Sequence, residues 1–185
     1  VSKESVKVAL GQAMAGIEKN PNSAKLVFRA ETRWEEDVRC SATVREFPPM
    51  TVDEPPELGG GDQAPNPVEL LLVALGTCQE IMYAAYAAVM DIQFDEVTVD
   101  CKGNLDLRGL FPLDETIPPG YTSIKFETNI KSTESPEKIA ALIGMVEAHC
   151  PVLDTLTRAV TVSGDVLLNG EHLHRHSWPP TAIAV

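Results

Sequence analysis

A chain of 185 residues is long enough for one domain with a true hydrophobic core. Apolar residues make up 44% and charged residues 23%, the proportions of a globular protein. Acidic residues outnumber basic ones by 27 to 15, for a formal net charge of -12. That surplus repels phosphate backbones, and no basic run offsets it, which argues against a nucleic-acid partner.

The first twenty residues lack the basic head, apolar centre and small-residue cleavage site of a secretory signal, so a cytoplasmic location is the default expectation. Residues 5–18 instead read as an amphipathic helix, with Val6, Leu10, Ala13, Met14 and Ile17 on one face. Pro21 and Asn22 end it. Lys25 to Trp34 and Val38 to Phe47 then alternate as strands, and the polar link Glu35-Glu36-Asp37 makes them a hairpin.

From Pro48 to Pro67 the chain holds six prolines and the run Gly59-Gly60-Gly61. No helix or central strand tolerates that composition, so a long irregular loop is expected, either a connector or a functional loop. Pro67 opens a helix reaching about Met90, apolar nearly all round despite Glu69, Gln79 and Glu80. We read it as a central core helix rather than a membrane span. A single domain of this size can hardly cover it, so a dimer is expected.

Asp95 to Leu107 and Tyr121 to Lys131 alternate as strands, separated by a proline-containing loop. Ser135-Pro136-Glu137 has the N-cap, first-turn proline and acid of a helix start, and that helix leads to His149-Cys150-Pro151. Ala159 to Leu168 reads as the last strand, and Gly170 to Val185 as a tail with little pattern. Strands and helices do not alternate strictly, so the class is α+β with a mainly antiparallel sheet.

Four cysteines, at 40, 78, 101 and 150, show no CxxC or zinc-finger spacing. A buried cysteine is most often a small hydrophobe, and Cys40 and Cys101 in strand patterns read that way. Cys78 differs because Gly76-Thr77 interrupts the large apolar side chains beside it. Cys150 differs because a proline breaks the helix right after it, leaving a thiol free to meet a partner. A metal site built from Cys78, His149 and Cys150 has suitable ligand types but no recognised spacing. His172, His174 and His176 would share one side of an extended chain, and no role is assigned to them.

The segment Asn66-Pro67-Val68-Glu69-Leu70-Leu71-Leu72-Val73-Ala74-Leu75-Gly76-Thr77-Cys78 resembles the central-helix motif of the OsmC-like family, osmotically inducible and organic-hydroperoxide-resistance proteins. The later segment His149-Cys150-Pro151-Val152-Leu153-Asp154-Thr155-Leu156 resembles the family's second cysteine motif. The resemblance covers residues 25–168, leaving 1–24 as an N-terminal helical extension and 169–185 as a C-terminal tail. It implies an OsmC-like fold: a mainly antiparallel sheet wrapped around a long buried helix, in an intertwined homodimer with sites at the subunit interface. It also implies that Cys78 attacks a hydroperoxide, Cys150 resolves the resulting sulfenic acid, and an external dithiol reduces the pair, with no cofactor.

Peroxidatic members carry an arginine in the loop before the central helix and a glutamate at the helix start. This chain has no Arg or Lys from Glu46 to Cys101, and Val68 stands ten residues before Cys78 with Glu69 beside it. Glu69 and one of Arg33, Arg39 and Arg45, with Arg39 foremost, are therefore the candidate helpers. The resemblance thus supports hydroperoxide reduction, or alternatively a non-peroxidatic dimer that binds a small apolar or thiol ligand in the cysteine pocket.

Overall fold

The computed structural model describes residues 3–178. Helix α1 (Lys3–Lys19) is followed by a single 3-10 turn and an extended stretch to residue 30. Strands β1 (Glu31–Glu36), β2 (Arg39–Thr43) and β3 (Met50–Val52) form an antiparallel sheet. The hairpin is therefore present, but Leu26 and Phe28 precede β1 and are 70% and 87% exposed, with no strand among the described residues to hold them.

Helix α2 (Pro67–Met90) starts with a capping box. The Asn66 side chain accepts from the Glu69 N–H at 2.9 Å, and Glu69 Oε2 accepts from the Asn66 N–H at 2.9 Å. Asp91 ends the helix in the left-handed region at φ 60°, and its N–H reaches the Ala87 carbonyl. Lys3 Nζ donates to the Ile92 carbonyl at 2.8 Å, fastening α1 to the same end.

Strands β4 (Glu96–Leu105) and β5 (Tyr121–Lys131) make a ten-residue antiparallel ribbon, bridged in sequence by the one-turn α3 (Leu107–Leu110). Helices α4 (Pro136–His149) and α5 (Pro151–Thr157) follow, bent by 58° at Cys150. The chain closes with the hairpin β6 (Val162–Leu168) and β7 (Glu171–Trp178). The tail expected to lack pattern is thus in part a strand, held by its ladder to β6 rather than by an apolar repeat of its own.

The core lies where α2 meets α4 and the β4–β5 ribbon. Leu75, Gln79, Tyr83 and Ala87 recur every four residues on α2 and are all buried, and Tyr83 and Ala87 pack with Leu142 and Val146 of α4. The other sides of α2 stay open, with Val73 52% and Ile81 65% exposed. Among the described residues α1, α4, α5 and β4 therefore cover only part of the helix. Among the described residues α2 is the one helix long and apolar enough to cross a membrane by itself; its packing on α4 and β4 fits a core helix equally well.

The proline-rich loop is more ordered than its composition suggests. Besides β3 it contains a 3-10 turn, Pro56–Leu58, and it is organised by Asp53, which is 2% exposed. The Asp53 carboxylate accepts from the N–H groups of Glu54, Gly61 and Gln63 at 2.9, 3.1 and 3.1 Å. Burial pushes its pKa up, but those three donors and the Arg39 charge outweigh that, holding it below the ordinary carboxylate value. Sequence patterning misses such a hub because one side chain, not a periodic repeat, supplies the loop's hydrogen bonds.

Candidate functional site

The structure brings Cys78 and Cys150 together from 72 residues apart. Cys78 lies half-buried midway along α2, and Cys150 is 1% exposed at the junction that ends α4 and caps α5. Both are free thiols within hydrogen-bonding reach of each other. Pro151 has no N–H, so the first N–H of α5 available to an acceptor is that of Val152, close enough to Cys78 to lower its pKa. Val152 was not singled out from the sequence. The visible signal was the Cys-Pro pair, which marks a helix start and so a free backbone donor one residue on.

Burial raises the Cys78 pKa above the ordinary thiol value of 9.0; the Val152 N–H lowers it, and the neighbouring Cys150 raises it again. Among the described residues no charged side chain acts on this thiol. Arg39 pairs with Glu36 at 2.5 Å and Glu35 at 3.6 Å, and donates to Gln63 Oε1 at 3.4 Å, next to the Asp53 hub. Glu69 is occupied in the capping box. Neither is brought to the sulfurs by the single chain.

Gln79, the residue after Cys78, is fully buried with neither end of its amide hydrogen-bonded. The Thr128 hydroxyl is also buried without a hydrogen-bond partner of good geometry, though it faces the phenol of buried Tyr83. Polar groups therefore reach into the core beside the thiol pair, a feature that an apolar-run reading of α2 hides.

The remaining cysteines lie elsewhere. Cys101 borders a cleft of about 270 Å³ on the β4 side of α2, near Gly76, Thr77 and Glu80. Burial first, then the charges of Asp100 and Glu80, push its thiol up. Half-buried Cys40 sits on β2 opposite Trp34 and Val52. His149 turns away from the thiols: its Nδ1 lies 2.9 Å from the Met145 carbonyl and its ring 5.7 Å from that of Tyr86. Among the described residues no three His, Cys, Asp or Glu side chains converge as metal ligands.

The fold is similar to that of several solved structures. An OsmC-like protein from Mycoplasma pneumoniae superposes with a TM-score of 0.61 at 20% identity, over 71% of this chain and 88% of that one. An organic hydroperoxide resistance protein OsmC from Legionella pneumophila gives 0.55 at 18% identity, over 72% and 92%. An organic hydroperoxide resistance protein from Elizabethkingia anophelis gives 0.55 at 18% identity, over 72% and 89%. No curated protein sequence matches significantly. The OsmC-like protein family model matches residues 59–164, which hold α2, the β4–β5 ribbon and both facing cysteines, and on that match the chain belongs to the OsmC-like family.

Proposed function

We propose that this chain is a cysteine-dependent redox protein that reduces organic hydroperoxides. The observation that carries the reading is the meeting of two free thiols, one half-exposed on α2 and one buried at the α4–α5 bend. In this reading the Cys78 thiolate attacks the O–O bond, the alkoxide takes a proton and leaves as the alcohol, and Cys78 becomes a sulfenic acid. The Cys150 sulfur then attacks it, an S–S bond forms, and the hydroxyl leaves as water with the Cys150 proton. An external dithiol restores both thiols by exchange. The Val152 N–H fits a role of stabilising negative charge on Cys78. Glu69 supports the site by starting its helix, and Arg39 by tying β2 to the acidic loop.

The test is consumption of cumene hydroperoxide by the reduced protein with a dithiol supplied. Cys78→Ser is expected to abolish turnover; a variant that keeps the parent rate defeats the reading.

The same reading makes the working form a homodimer in the cytoplasm. Trp34 of β1, Val162, Val166, Leu167 and Leu168 of β6, and Val73 and Ile81 of α2 are large apolar side chains exposed in one chain. Apolar surface on that scale is what obligate interfaces cover. Light scattering at micromolar concentration is expected to give twice the 20.0 kDa chain mass, and a monomer would remove the dimer.

One observation favours a second reading. With no cation beside Cys78 among the described residues and its pKa raised, the pocket suits a neutral thiol that binds a small apolar or thiol ligand without reducing peroxide. A folded, reduced protein that consumes no hydroperoxide but retains such a ligand would establish that alternative.

A further inference from the structure

The β6–β7 hairpin carries histidines that the redox site does not use. Its register places His176 opposite Gly164 and His174 opposite Val166, with one extra residue, Leu173, bulged out between Val166 and Leu167. Alternate strand residues share a face, so His174, His176 and Trp178 stand together. The bulge turns His172 to the other face, contrary to simple alternation. There its Nε2 lies 3.1 Å from Asp165 Oδ1, beside the Arg175–Asp165 pair at 2.6 Å.

On the first face the Nε2 atoms of His174 and His176 are in direct contact, with ring centroids 3.8 Å apart at 71°. His176 in turn stacks on Trp178 at 4.9 Å and 24°. Gly164 leaves the space across from His176 open: a Cβ placed there would meet nothing within 4 Å. Two imidazole nitrogens thus meet on an open, exposed surface. Only one of them can satisfy the other by donating a proton.

We propose that His174 and His176 form a two-nitrogen chelate for a divalent transition-metal ion of the nickel(II) or copper(II) type. Two imidazoles with water in the remaining positions match the tetragonal N,O coordination that these ions favour. Zinc usually takes three or four protein ligands, and among the described residues no such group of three is present. The chain's net charge of -12 favours a cation at its surface. The site is separate from the cysteine pair and stands whether or not the peroxidase reading does.

Trp178 makes the site observable. The chain has two tryptophans, so Trp34→Phe leaves Trp178 as the only indole, next to the chelate. Nickel(II), a paramagnetic ion that does not oxidise thiols, is expected to quench this emission with a one-to-one endpoint. His174→Gln or His176→Gln, in the same background, is expected to lose the quench at the nickel concentration that saturates the parent. His172→Gln, on the opposite face, is expected to leave it intact. Far-UV circular dichroism checks that each variant keeps its fold. Quenching that survives both His174→Gln and His176→Gln, or no quenching in the parent, overturns the proposal.

Discussion

Between pH 6 and pH 9, the rate at which an organic hydroperoxide oxidises Cys78 is expected to rise about tenfold for each pH unit, with no plateau near neutrality. The thiolate is the reacting species, and below a thiol's pKa its fraction falls tenfold per unit. Burial and the neighbouring Cys150 raise the Cys78 pKa above 9.0, the Val152 N–H offsets only part of this, and among the described residues no charged side chain contributes. The single chain therefore leaves Cys78 mostly a neutral thiol at pH 7. The measurement is stopped-flow oxidation of the reduced protein across that range, followed by quenched mass analysis of the Cys78 peptide. A plateau near pH 7 would mean that a cation from outside the described residues lowers the pKa, and the second subunit of the proposed dimer would be one source.

Gln79→Met is expected to stabilise the protein by about 1–3 kcal/mol, although it removes a polar side chain beside the thiol pair. The reason is the completely buried and unpartnered amide. Taking both ends of an amide out of water without a hydrogen bond costs that much, and methionine has nearly the same length and volume without the penalty. Urea unfolding at one fixed protein concentration measures the change, since association would otherwise shift the midpoint. A loss of stability instead would show that buried water or a bound group satisfies the amide, in which case the polar interior belongs to the site.

Much of this arrangement was legible in the residues. The helix over Pro67–Met90 announced itself through its apolar run and the proline at its start. The strand over Tyr121–Lys131 appeared through strict alternation, and the helix from Pro136 to His149 through its cap. These signals are local, so they survive without knowledge of the rest of the fold. The segment over Lys25–Ala30 failed the same test: it alternates, but a strand exists only when a neighbour pairs with it, and none does among the described residues. The His172–His174–His176 series failed because one bulged residue reverses a face, and alternation cannot reveal a bulge.

The sequence alone therefore determined the α+β class, the order of the main elements, the family and the two cysteines that the fold brings together, because periodicity, capping residues and motif spacing are properties of short stretches. Tertiary structure decided everything that depends on distant neighbours. It brought the Val152 N–H close to Cys78, left Arg39 and Glu69 away from the sulfurs, buried Gln79 without a partner and gathered the proline-rich loop around Asp53. Charge, burial and hydrogen bonding at a site are sums over groups far apart in the chain, and only folding brings those groups to the same place.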